Sequence, residues 1–110
     1  MKLPNADRAV IPAAKLRDYL LNEDHPENRG KARLLRALGY GREDWGRLEE
    51  DLRQQHLVRD ATLGNPGLYG ASYRITAAIT GPRGTATMVS IWIITWEADL
   101  PSFVTMYPED

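Results

Sequence analysis

The stretch TATMVSIWIITW, residues 85–96, decides the fold. It is rich in Ile, Val, Thr and Trp, the side chains that suit a pleated, half-buried strand. Its MVSIWIITW portion is apolar at odd and even positions alike, as in a central strand covered at least in part on both faces. Runs of the same kind flank it, LYGASYRITAAIT at 68–80 and SFVTMY at 102–107. Turn signals separate them: GNPG at 64–67, GPRG at 81–84 and EADLP at 97–101. Linkers this short join antiparallel neighbours. The spacing therefore predicts a meander, with residues 57–63 adding a first, shorter strand.

Toward the N terminus the period changes from two to that of a helix. Pro12 suits the first turn of a helix, where its missing N–H costs nothing, and Ala13, Leu16 and Leu20 share a face up to about Leu21. The polar NEDHPENRG (22–30) follows, and Pro26 disfavours helix just before it. A second helix is expected over KARLLRAL (31–38), closed by Gly39 as a left-handed cap. A third is expected at about 44–57, with Asp44 as its N-cap and Trp45, Leu48 and Leu52 as its apolar stripe. Residues 1–11 read as an extended arm. The expected class is α+β: three N-terminal helices (within 1–57) packed on a C-terminal antiparallel sheet of three to four strands (58–110), as one domain over 1–110.

The composition bounds the chemistry. The chain has 110 residues and no cysteine, which removes disulfides, thiolate zinc sites and cysteine nucleophiles. His25 and His56 are the only histidines, so a histidine-rich metal cage is excluded. Hydrophobic residues at 43% and charged residues at 26% are those of a soluble globular chain. The first residues, MKLPNADRAVIP, lack the apolar stretch of a signal peptide, and no run approaches the roughly 20 apolar residues that cross a bilayer. The expectation is a cytoplasmic protein with no membrane contact and no cofactor.

A net charge of −1 conceals a local excess. Residues 28–42 carry Arg29, Lys31, Arg33, Arg36 and Arg42 and no acid. On a helix, Arg29, Arg33 and Arg36 fall in one arc, while Leu34, Leu35 and Leu38 lie opposite. Lys31 stands three, four and seven residues before those leucines, so it points with them toward the sheet. An ammonium there snorkels to water, meets an acid, or serves a site by stabilising an anion. The arginine stripe is either a solvated face, paired to Glu27 or the acidic third helix, or a contact for nucleic-acid phosphates.

Few other residues point to chemistry. His25 lies in the loop before that helix, and histidine is the side chain that exchanges protons near neutral pH. His56 reads as a partly buried helix-terminal residue. Thr105 and Tyr107 share one face of the last strand and Val104 and Met106 the other. Tyr69 and Tyr73 alternate likewise. Such aromatics are either core or a stacking platform for bases. Glu23, Asp24 and Glu27 match no cation-loop spacing. No phosphate-binding glycine loop, nucleophile elbow or HExxH is present.

The stretch KLPNADRAVIPAAKLRDYLLNEDHPENRGKARLLRALGY (2–40) resembles the start of a small, uncharacterised bacterial domain family. Its members read as an Ile-Pro-x-x-Lys-Leu-x-x-Tyr-Leu-Leu-Asn-x-x-His-Pro arm, then Gly-x-x-Lys-Ala and Leu-Gly-Phe. They close on Val-x-x-x-Trp-Ile-Val and Leu-Val-Thr-Ala-Tyr-Pro strands, here VSIWII (89–94) and SFVTMYP (102–108). The layout resembles the barnase, EndoU, colicin and RelE-like ribonuclease toxins, which cleave RNA on a sheet without a metal. That resemblance implies His25 as acid or base, Lys31 as stabiliser of the pentavalent phosphate, and Thr105 and Tyr107 as phosphate-orienting or proton-donating groups. Lys15 and Trp92 are further motif positions, implied in binding with Arg29, Arg33 and Arg36. The sequence departs from the family pattern in two places. Leu34 and Leu35 replace a Phe pair, and Ser102 stands near a position where relatives carry Arg.

Three functional readings follow. One is a metal-independent ribonuclease toxin acting on RNA. The other is a non-catalytic module that binds protein, as an antitoxin or immunity partner, or as a phage-type (anti-CRISPR-like) inhibitor of a host nuclease complex. That module would dock through the Arg29–Arg36 stripe or through Glu49, Glu50 and Asp51. A plain structural subunit is the third. The 102–107 edge strand is a candidate homodimer contact.

Overall fold

The computed structural model describes residues 1–109. Its strands follow the period-two runs. β1 (Thr62–Pro66), β2 (Gly70–Gly81), β3 (Gly84–Thr95) and β4 (Ser102–Pro108) form one antiparallel sheet in sequence order, so the fold is α+β with a four-stranded meander. The β2–β3 hairpin turns through Pro82 and Arg83, between the opposed Gly81 and Gly84. The first strand lies later than the expected 57–63. The GNPG signal mostly falls inside it, as a register irregularity between Leu63 and Pro66.

The helical elements precede the strands. They are α1 (Arg29–Ala37), α2 (Trp45–Gln55), a π-helical segment over Lys15–Leu20, and 3₁₀ turns at Ala6–Arg8 and Arg42–Asp44. The expected first α-helix is thus a π-helix, in which the Leu21 N–H reaches back five residues to the Leu16 carbonyl (2.8 Å). The wider turn still buries Leu16 and Leu20. Asp44 does not cap α2 with its side chain. Its Oδ2 accepts the Gly41 N–H at 2.9 Å and closes the 3₁₀ turn instead.

The inner sheet face meets the helices. Ile75 and Ile79 on β2, Met88 and Trp92 on β3, and Met106 on β4 are fully buried with Leu35, Leu48 and Leu52. Trp92 packs edge-on to Phe103 (5.3 Å between centroids). At the end of α2, His56 is fully buried rather than partly so. Its Nε2 lies 3.1 Å from the Ala77 carbonyl, which can only accept, so the ring proton sits there. Nδ1 then accepts from the Ser90 hydroxyl (2.8 Å), which in turn accepts the Trp92 indole N–H (2.9 Å). Burial first of all holds the His56 pKa below its ordinary value.

Two clamps set the path of α1 across the sheet. At its C-terminal end, Gly39 takes φ +103° as the predicted cap, and the Arg83 N–H on the hairpin tip donates to the Leu38 carbonyl (2.9 Å). Gly81 makes this approach feasible, because a Cβ there would come within 2.4 Å of the Leu38 oxygen. Near its N-terminal end, Lys31 reaches β4. The N-terminal arm also meets β4: Val10 exchanges backbone hydrogen bonds with Pro101 and Phe103 (2.8 and 2.9 Å). The outer edge of β4 is therefore occupied at its start, which narrows the edge proposed for self-pairing.

Candidate active site

A chain of contacts starts at the edge of β4 and runs through side chains from three helical or loop segments. Lys31 leaves the first turn of α1 toward the sheet, as its spacing to Leu34, Leu35 and Leu38 predicts. Its Nζ donates to Thr105 Oγ1 at 3.2 Å and lies 5.8 Å from the centroid of the Tyr19 ring. Tyr19 extends from the π-helix. Its other neighbour is His25, edge-on with 4.9 Å between ring centroids and an interplanar angle of 80°. Tyr19 thus contacts both the imidazole and the ammonium. All four side chains are half-buried.

The surrounding backbone holds this arrangement in place. Asn28, the residue before α1, is 1% exposed. Its amide donates to the Leu20 carbonyl at 2.6 Å and to the Tyr19 carbonyl, so it ties the end of the π-helix to the start of α1. Its Oδ1 is buried with no hydrogen-bond partner. The 22–28 loop is closed by turns in which His25 N–H donates to Asn22 O and Asn28 N–H to His25 O. His25 Nδ1 accepts from the Glu27 N–H (3.3 Å), which assigns the ring proton to Nε2. Asp18 fixes the other side of the π-helix. It bonds Arg17 (3.0 Å) and Arg42 (3.1 Å), and Arg17 first, then Arg42, lowers its pKa to about 2.

The junction holds a cation beside a hydroxyl and an aromatic ring. Among the described residues no carboxylate forms an ion pair with Lys31. Its charge is offset only by a hydroxyl and a ring face, both weak compensation for a half-buried ammonium. A phosphate oxygen entering beside Thr105 would supply the missing negative charge. The His25 Nε2–H donor belongs to the ring that stands against the same Tyr19 that Lys31 faces. Among the described residues no group of three or more His, Asp or Glu side chains could hold a metal ion.

The other expected residues distribute differently. Tyr107 is exposed and lies on the outer face of the sheet, opposite Val89. It lines a depression of about 250 Å³ with Thr62, Arg74 and Ile91. Arg29 and Arg33 are exposed and without acidic partners among the described residues. Arg36 is paired to Glu23 (3.4 Å), not to Glu27 or the third helix. Lys15 is exposed at the start of the π-helix. Trp92 has no solvent-accessible surface, so it is a core residue; this corrects its expected place in a binding surface.

The acidic docking patch is corrected too. Asp51 is buried. Its Oδ2 accepts the Tyr40 hydroxyl (2.5 Å) and Arg47 Nε (3.0 Å), and Glu49 is held by Arg53. Burial first, then the bond to Asp51, pushes the Tyr40 phenol above its ordinary value. Sequence reasoning missed Tyr19 and Asn28. Tyr19 was visible only as the Tyr of the Tyr-Leu-Leu-Asn motif position, and Asn28 as a residue type common before helices.

No helix of the described chain is long and apolar enough to cross a membrane. No curated protein and no solved structure matches the chain. A family model does, over residues 2–110, almost the full length, in agreement with the blocks of resemblance at both ends: the chain belongs to DUF6883, a family defined as a domain of unknown function.

Proposed function

We propose that this domain is a metal-independent ribonuclease whose scissile phosphate sits at the Lys31–Thr105 junction. The observation that carries the reading is the unpaired Lys31 ammonium bonded to Thr105 beside the Tyr19–His25 pair. Three helices on the sheet, in this reading, serve to carry Lys31 and His25 to the β4 edge. The ribose 2′-oxygen attacks phosphorus, a 2′-O–P bond forms, and the P–O5′ bond breaks. The 2′-hydroxyl proton passes to solvent, the His25 Nε2–H hydrogen-bonds the departing O5′ as its charge develops, and a proton from solvent completes the 5′-hydroxyl. Lys31 neutralises the charge that builds on the equatorial oxygens, and Thr105 orients one of them. The products are a 2′,3′-cyclic phosphate and a 5′-hydroxyl.

The test is incubation of the purified protein with a mixed-sequence RNA in the presence of a chelator. Loss of the Nε2–H donor in His25→Ala lowers the rate by about 10²–10³-fold. Intact RNA with the wild type, or equal cleavage by wild type, His25→Ala and Lys31→Met, overturns the reading.

A second reading, a protein-binding module, is favoured by a different observation. Leu68, Tyr69 and Trp96 are 82%, 75% and 61% exposed at the end of the sheet beyond β2 and β3. The Trp96 indole donates to the Leu68 carbonyl (3.1 Å) and holds the cluster together. Exposed apolar groups in one place mark interaction surfaces. The antitoxin or inhibitor alternative would use this cluster, since of the acidic patch Asp51 is buried and Glu49 is paired to Arg53, which leaves only Glu50 exposed.

A further inference from the structure

The outer face of the sheet carries a row of residues that continues the proposed site. The register places Thr62 opposite Arg74, Arg74 opposite Ile91, and Ile91 opposite Thr105. One rung therefore runs across all four strands and ends at the residue that Lys31 bonds. Adjacent strands are about 4.8 Å apart, so Arg74 stands roughly 10 Å from the Thr105 end. Arg74 is exposed, and among the described residues no carboxylate pairs with it. It is one of only two cations after residue 60, the other being Arg83. Beside the rung, the exposed Tyr107 ring joins Thr62, Arg74 and Ile91 around the depression of about 250 Å³. No acid lines it.

This depression lies just below the roughly 300–1,000 Å³ typical of pockets that enclose a whole small ligand. Its lining, which also includes Tyr73, brings the exposed Tyr107 ring, the apolar Ile91 and the Arg74 guanidinium together, a set that takes a base by stacking and its phosphate by charge. We propose that this outer-face depression is a nucleotide subsite for single-stranded RNA. A base stacks on Tyr107 over Ile91, and Arg74 holds a phosphate flanking the scissile one. The inference rests on the proposed ribonuclease reading for the direction of the strand, which crosses the sheet along the Thr62–Thr105 rung. It also makes Tyr107 a substrate-binding group instead of a proton donor.

A 2′-O-methyl RNA decamer has no attacking hydroxyl, so its binding is measured apart from cleavage. Fluorescence anisotropy as a function of salt gives affinity and the number of phosphate contacts. Arg74→Gln should lower the slope of log K against log salt by about 0.7, one contact on a single strand. Tyr107→Leu should weaken binding about five-fold or more with the slope unchanged. Arg83→Gln, at the exposed β2–β3 hairpin tip many rungs from Arg74, serves as the control and should leave affinity and slope intact. Binding with these effects but no cleavage of natural RNA supports the subsite and removes the proposed chemistry. Cleavage that depends on His25, with Arg74→Gln and Tyr107→Leu binding like wild type, overturns the subsite alone. Failure of the wild type to bind the decamer also overturns it.

Discussion

Lys31 Nζ donates to Thr105 Oγ1 at 3.2 Å and so joins residues 74 positions apart, α1 to β4. The bond has no acidic component. It holds an ammonium at the sheet edge without neutralising it, and α1 can present that ammonium because its far end is clamped to the β2–β3 hairpin by the Arg83–Leu38 backbone bond.

Lys31→Met keeps the apolar stem and removes the charge. Activity on RNA should fall about 10²–10³-fold, the loss typical of one donor to a developing negative charge. The melting temperature should move little, because losing a bond to a charged donor, about 1.5–3 kcal/mol, is offset in part by no longer burying an ammonium. Paired cleavage assays and thermal melts check both halves. A large drop in melting temperature with parallel loss of activity would make Lys31 structural.

Asn28→Ala should cost about 1–3 kcal/mol by stripping the Tyr19 and Leu20 carbonyls of their buried donor. Because those carbonyls end the segment that carries Tyr19, the variant should also lose cleavage below its melting temperature, where it is still folded. Urea unfolding and rate measurements on the same sample separate the two effects.

The His56 network predicts the direction of a pH response. The folded-state pKa lies below the ordinary 6.5 because the buried ring is held neutral. The unfolded chain thus takes up a proton first as pH falls. The contribution of His56 is full above pH 6.5 and is lost as pH drops below 6.5 toward the folded-state value. Urea midpoints should decline from pH 7 to 5.5, and Ser90→Ala, which unpairs both the Trp92 N–H and His56 Nδ1, should cost about 1–3 kcal/mol per group. A midpoint that rises on acidification through this window would contradict the network.

Tyr40 predicts an alkaline signature. Its phenol is raised above the ordinary 10.0 by burial and by Asp51, so the unfolded chain loses that proton first and stability falls as pH rises above 10. In a spectrophotometric titration, one of the five tyrosines should ionise only with unfolding. Tyr40→Phe should cost about 1.5–3 kcal/mol, the range for a hydrogen bond to a charged group.

Much of this geometry was written in local patterns, and what was not depended on contacts between distant segments. Apolar residues at both odd and even positions of 85–96 marked a central strand, and GPRG marked its hairpin. The i+3 and i+4 spacing of Lys31 to its leucines gave its direction, because helical geometry alone sets that. The π-turn was invisible, since KLRDYL has the apolar spacing of an α-helix and the five-residue closure is decided by packing. Trp92 was misassigned by its motif position, although its alternation with Ser90 in VSIWII already puts both on one face. Asp51 looked like a surface acid because its partner Tyr40 comes from a separate segment. Asn28 resembled any residue before a helix, and the carbonyls it holds belong to another element.

The central claim is tested most directly by the chemistry of the new ends. A synthetic RNA is incubated with wild type, Lys31→Met, Thr105→Val and His25→Ala in chelator, and the fragments are weighed by mass spectrometry. The account predicts 2′,3′-cyclic phosphate ends from the wild type, fewer from Thr105→Val, and almost none from the Lys31 and His25 variants. Uncut RNA, linear 5′-phosphate ends, or the same yield from all four proteins would contradict it.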